Sequence, residues 1–225
     1  MEAVLAHVAQ RRPDGILFVG DLGSHDLSYV RRRTSARDAR YLASVEQVLQ
    51  RARAVCERVL YVPGNHDLPG LEFPGNVDGR VEEIGGVRIG GIGGAGPGRY
   101  GFAYEWDEDE IRARPALACD LLLCHAPPAR TDLDRLHDGR THVGSEAIRE
   151  RATAHAGVLA CGHIHESAGA VRVGNCMCVN VGALGEPFGA IQVVYLRWST
   201  GLRTKIAIEH ALLGSDTRSE WAYTW

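Results

Sequence analysis

Several polar side chains in this sequence have the types and the spacing of a hydrolytic metal centre. Asp21 follows the apolar run ILFV and a glycine. Asn65, His66 and Asp67 stand in PGNHD behind RVLYV, His125 follows DLLLC, and His163 and His165 lie in GHIHE behind VLAC. A carboxylate can bridge two divalent cations, imidazoles suit Zn, Mn, Fe or Ni, and an amide oxygen adds a neutral donor that leaves a cation charged enough to polarise a phosphate. A structural zinc site would more often be closed by cysteines. Gly20-Asp21 alone carries almost no information, GHIHE carries more, and PGNHD after a buried strand is the most specific of the set.

The elements that must position these groups follow from hydrophobic periodicity. Asp21, Asn65, His125, His163 and His165 each lie just past the C-terminal end of a short apolar run, the edge where open α/β sheets gather their ligands. Val4, Leu5 and Val8 predict a helix over 2–12 that Pro13 and Gly15 end, and ILFV predicts a buried strand over 16–19. A longer amphipathic helix carries Leu42, Val45, Val48, Leu49, Ala52 and Val55 on one face, and a second strand covers 58–62. VEEI and VRIGGI read as a hairpin around Gly85-Gly86. A helix is expected over 145–155, then closing strands at AGAVRV, CMCVNV and AIQVVYLRW, with TKIAIEH as a further candidate. The alternation argues α/β or α+β. The glycine-rich stretch 90–101 lacks a Lys-Ser/Thr ending and reads as a turn or rim beside the pocket, not a P-loop.

Composition bounds the alternatives. The chain has 225 residues, 45% hydrophobic and 24% charged, which fits one domain over 1–225 and excludes disordered or disulfide-knotted classes. A formal charge of -3 gives no reason to expect a nucleic-acid duplex or an anionic membrane as partner. No apolar run approaches the roughly 20 residues that span a bilayer, and the first residues lack the pattern of a signal peptide, so a cytoplasmic protein is expected. Cys124, Cys161, Cys176 and Cys178 fall inside strand-like runs and read as buried reduced thiols. His7, His137, His155 and His210 lack ligand-type neighbours and are read as ordinary side chains.

In order, Gly20-Asp21, Gly64-Asn65-His66-Asp67, His125 and Gly162-His163-Ile164-His165 resemble the later motifs of the calcineurin-like metallophosphoesterases. HAPPARTDLDRLHDGRTHVGSEAIRE followed by CGHIHESAG is similar to the prokaryotic branch related to the cyclic-AMP phosphodiesterase Icc. The resemblance runs from Met1 to about Leu196 and leaves the tail to Trp225 unassigned. It implies a four-layer α/β/β/α sandwich with two divalent transition metals (Mn, Fe, Zn or Ni) at one rim. By motif, Asp21 would bridge the metals, Asn65, His125 and His163 would complete one site, and His165 would belong to the other. His66 would face the phosphoryl group and stabilise or protonate the leaving oxygen, with Asp67 orienting its ring. A metal-activated hydroxide would then hydrolyse a small phosphomonoester or phosphodiester. His142 and Glu166 are candidates for the pocket wall, with surface solvation as the alternative.

One departure stands out. The family's first motif, an Asp-x-His closing a first strand, occurs nowhere in this sequence. By the resemblance, the sheet is then expected to lack its first strand, and half of the first metal site with it. His25 and Asp26, the nearest surrogates, would have to bend back to reach the site. The expectation is that the reading frame continues upstream, with an apolar strand ending in Asp-x-His within about 20 residues of Met1. The alternative is a weak or inactive member of the fold that acts as a scaffold through protein interaction, as the retromer subunit of this fold does. A smaller departure, Val181 where the family often has proline, alters a loop only.

Overall fold

The computed structural model describes residues 2–23, 34–98, 100–184, 191–199 and 205–224. Helix α1 (Glu2–Arg11) leads into strand β1 (Ile16–Phe18), and α2 (Ser35–Val55) into β2 (Val59–Tyr61). Thr34 caps α2 by accepting from the Arg37 amide. Strands β3 (Val81–Ile84) and β4 (Val87–Ile92) form the expected hairpin. They are followed by α3 (Glu108–Ala113), β5 (Leu121–Cys124), α4 (Glu146–Ala154), β6 (Val158–Cys161), β7 (Gly169–Val173) and β8 (Cys176–Asn180). The chain closes with β9 (Gln192–Ser199), β10 (Lys205–Leu212) and β11 (Arg218–Thr224).

The fold is α/β with a mixed central sheet of order β3-β4-β5-β6-β8-β7. Its inner strands β4, β5, β6 and β8 run parallel, and β3 and β7 add as antiparallel edges. Every residue of β5 and β6 is buried, which is what the unbroken apolar runs LLLC and VLAC require of parallel strands covered on both faces. Leu122 and Leu159 turn to α3 and α4, where Ile111 and Ile148 meet them. Leu121, Leu123 and Val158 turn the other way, toward Leu60, Val62, Ile206 and Ile208. A third cluster joins Leu5 and the Tyr41, Val45, Leu49 stripe of α2 to Val59 and Tyr61. Each such fully buried aliphatic side chain stabilises by about 1.5–3 kcal/mol.

Among the described residues there are two smaller sheets, the parallel pair β1-β2 and the antiparallel β11-β10-β9. All three residues of β1 are only half-buried, in contrast to the buried strand expected there. Tail residues 218–224, which the sequence left unassigned, pair with β10 from Arg218↔Ala211 to Thr224↔Lys205. The acidic segment after Trp106 forms α3 because Asp107 and Glu110 build a capping box, a signal that its lack of apolar period conceals. All six cysteines are free thiols and five are buried.

Candidate metal centre

The loops after β1, β2, β5 and β6 bring the sequence-predicted groups to one rim. The first two are locked together by Asp67, a carboxylate with no exposed surface. Its oxygens accept from Leu22 N at 2.9 Å, Gly23 N at 3.2 Å and Gly64 N at 2.7 Å, and from the Tyr41 hydroxyl of α2. Burial first, and the Asp67 charge second, push the Tyr41 phenol well above its ordinary pKa, so it stays a donor. Asp67 is thus a clamp between two ligand loops, a role beyond the expected one of orienting His66. The loops also touch through glycine: a Cβ on Gly64 would stand 2.1 Å from Asp21 Oδ1, so no side chain fits there.

Asp21 Oδ1 accepts from the His66 amide at 3.0 Å, which places His66 next to the carboxylate by its backbone. His125 Nδ1 lies 2.6 Å from the Val19 carbonyl, which can only accept, so that nitrogen carries the proton. A carbonyl holding the far nitrogen of an imidazole in this way is how metal-ligating histidines are commonly oriented. The Nε2 lone pair then faces Asn65 Oδ1 at 3.0 Å and Asp21 Oδ2 at 3.4 Å. This lone pair and each oxygen it faces repel unless a proton or a cation lies between them. Their separations also suit one coordination shell, since ligands bound at about 2.0–2.2 Å sit about 3.0–3.5 Å apart.

His163 stands beside His125, with ring centroids 4.9 Å apart. Burial, and secondarily the imidazoles of His125, His165 and His66, hold its pKa well below the usual histidine value, which leaves it neutral with a lone pair to give. His165 opens a short 3-10 turn, His165–Ser167, and lines the same cavity as Asp21, His125 and His163. Asp21 and His163 both have left-handed backbones, φ 54° and 66°, a strain of about 1–3 kcal/mol each of the kind that gathers at functional sites. Among the described residues, no three His, Cys, Asp or Glu side chains are drawn together into a ready metal-holding group.

Two further candidates have partners of their own. His142 bonds Asp134, which also takes the amides of Arg130, Thr131 and Gly144, so the pair organises a loop. Glu166 accepts from the His137 amide. His25 and Asp26 lie outside the described residues. Sequence reasoning missed two residues. Tyr41 was concealed within the apolar i, i+4 stripe of α2, and Phe102, whose ring centroid is 4.1 Å from that of His66, sits in a loop without periodic signal.

A groove runs from this rim between β1 and β9. Leu17 lines its whole length, with Val193 and Val194 at the rim end and Leu196 and Trp198 at the far end, in adjoining cavities of about 290 and 450 Å³.

Three comparisons place the chain among known proteins. An uncharacterised protein of Methanocaldococcus jannaschii, MJ1162, is 35% identical over 136 residues, covering 54% of this chain and 62% of that protein. The chain thus matches less than two thirds of that relative's length. The crystal structure of Chaetomium thermophilum Vps29 superposes with a TM-score of 0.43 at 12% identity, over 94% of this chain and 80% of that one. Residues 1–201 match the calcineurin-like phosphoesterase superfamily domain, and the chain belongs to that superfamily.

Proposed function

We propose that the chain is a metal-dependent phosphoesterase, cytoplasmic and akin to the cyclic-AMP phosphodiesterase branch, that hydrolyses small phosphomonoesters or phosphodiesters at this rim. The observation that carries the reading is that His125 Nε2 faces Asn65 Oδ1 at 3.0 Å and Asp21 Oδ2 at 3.4 Å while its far nitrogen is held by the Val19 carbonyl. When bound, divalent cations such as Mn, Fe, Zn or Ni supply Lewis-acid charge and lower the pKa of water toward neutrality. Asp21, Asn65, His125 and His163 would hold one cation, and His165 with Asp21 would face a second. His66, fixed through its amide to Asp21, offers its ring to the ester oxygen as donor. Asp67 and Tyr41 keep the two ligand loops in register.

The three apolar clusters support a four-layer α/β/β/α stacking. The groove between β1 and β9 opens at its rim end on Asp21, His163 and His165. The scaffold reading draws on the absence, among the described residues, of a ready His/Cys/Asp/Glu group.

Calorimetric titration of Mn²⁺, with turnover of bis(4-nitrophenyl) phosphate, tests this directly. The chain is expected to bind and hydrolyse. His125→Ala should lose more than about 100-fold in affinity, beyond the 10–100-fold typical of outer-shell partners. Undiminished binding in His125→Ala would remove the assignment, and neither binding nor turnover in any form would favour the scaffold.

A further inference from the structure

The loop that follows β4 brings an aromatic side chain to the residue proposed to act on the leaving oxygen. The ring centroids of Phe102 and His66 are 4.1 Å apart, at an interplanar angle of 44°. That contact is held from both ends. Tyr104 N donates to the Asn65 carbonyl at 3.1 Å, tying the loop to the residue before His66. The Glu105 carboxylate accepts from the successive amides of Tyr100, Gly101 and Phe102 at 2.7, 2.9 and 3.2 Å, which fixes the backbone that carries the ring. At the base, the Tyr104 hydroxyl bonds Asp78 at 2.5 Å, and Arg114 pairs with the same carboxylate at 3.2 Å. A loop built only to cover the rim would need none of this anchoring next to His66.

With the two rings in contact, an ester oxygen bonded to the His66 imidazole would bring its next atoms near Phe102. Phe102 is half-buried, and two residues earlier Tyr100 stands 78% exposed on the same turn. The surface offered to a leaving group is therefore aromatic, and aromatic faces prefer other aromatic faces at 4.5–7 Å over saturated groups of equal size.

We propose that Phe102 and His66 form a subsite for a flat aromatic leaving group, so that aryl phosphoesters are selected over alkyl ones. This deepens the phosphoesterase reading of the site and rests on it. Phe102 acts here as a specificity residue, and His66 keeps its role toward the oxygen.

The test uses benzylphosphonate and cyclohexylmethylphosphonate, which match in size, resist hydrolysis and differ in the π face. Calorimetry on the full chain with Mn²⁺ should show about fivefold tighter binding of the benzyl compound. Phe102→Ala and Phe102→Leu should bring that ratio to about one, and Phe102→Trp should keep it. Equal affinities in the wild type, or a preference that survives in Phe102→Ala, would overturn the subsite. A benzyl preference without turnover of phenyl phosphate would sink the phosphoesterase reading alone, and turnover without the preference would sink only the subsite.

Discussion

His125 and His163 follow β5 and β6, strands buried at every residue, whereas Asp21 follows β1, all of whose residues stay half-exposed beside an open groove. The first pair inherits its position from the central sheet. Asp21 inherits its position from a clamp: Asp67 and Tyr41 fix the loop that β1 alone holds weakly. One half of the rim is thus positioned by hydrophobic burial and the other by charged hydrogen bonds. The two should fail differently when disturbed.

The largest effect expected is on turnover. His66 belongs to the clamped half through its amide, but its ring is free of the ligand shell in this reading. His66→Ala should lower turnover by about 10²–10⁴-fold while Mn²⁺ content stays near that of the wild type. Parallel loss of metal and activity would make His66 a ligand or a strut and erase its separation from the shell. The clamp itself gives the next effect. Tyr41→Phe removes one donor from a fully buried carboxylate and should destabilise by about 1–3 kcal/mol in denaturant unfolding. A change within a few tenths of a kcal/mol would mean that the three amides suffice and that burial positions both halves alike.

The smallest effect lies on the buried side. Burial lowers the pKa of His155, which follows α4 next to the central sheet, against the weaker opposing pull of Asp120. The unfolded chain protonates this imidazole near its usual value of about 6.5 and the folded chain only at lower pH. Stability should therefore fall as pH drops through about 6.5 toward the depressed folded value. His155→Gln should flatten that slope in thermal melts at pH 7 and pH 5. An unchanged slope would assign the acid sensitivity to other groups.

Much of this was legible in the sequence for a physical reason. Strands buried on both faces must be unbroken apolar runs, so LLLC and VLAC announced themselves, and the residues just past them fell where parallel sheets place ligands. β11 was not legible, because RSEWAYT is half polar and becomes a strand only by pairing with β10. Nor was the role of Asp67. The family motif implied that it orients the His66 ring, whereas its hold on amides 44 and 45 residues earlier is a tertiary fact that no local pattern encodes. Phe102 left no trace for the same reason, since its loop is shaped by Glu105 and by the Asn65 carbonyl.

The shared use of Asp67 also bears on how the rim moves. Leu22, Gly23 and Gly64 give their amide hydrogens to one carboxylate, so none of the three can be released singly without leaving a buried charge short of a donor. Two loops far apart in the chain are thereby tied together, and their amides should share one free energy of local opening in hydrogen exchange. Ligand residues at the rim would form and dissolve together, and partial exposure of one loop alone would be a state the molecule rarely visits.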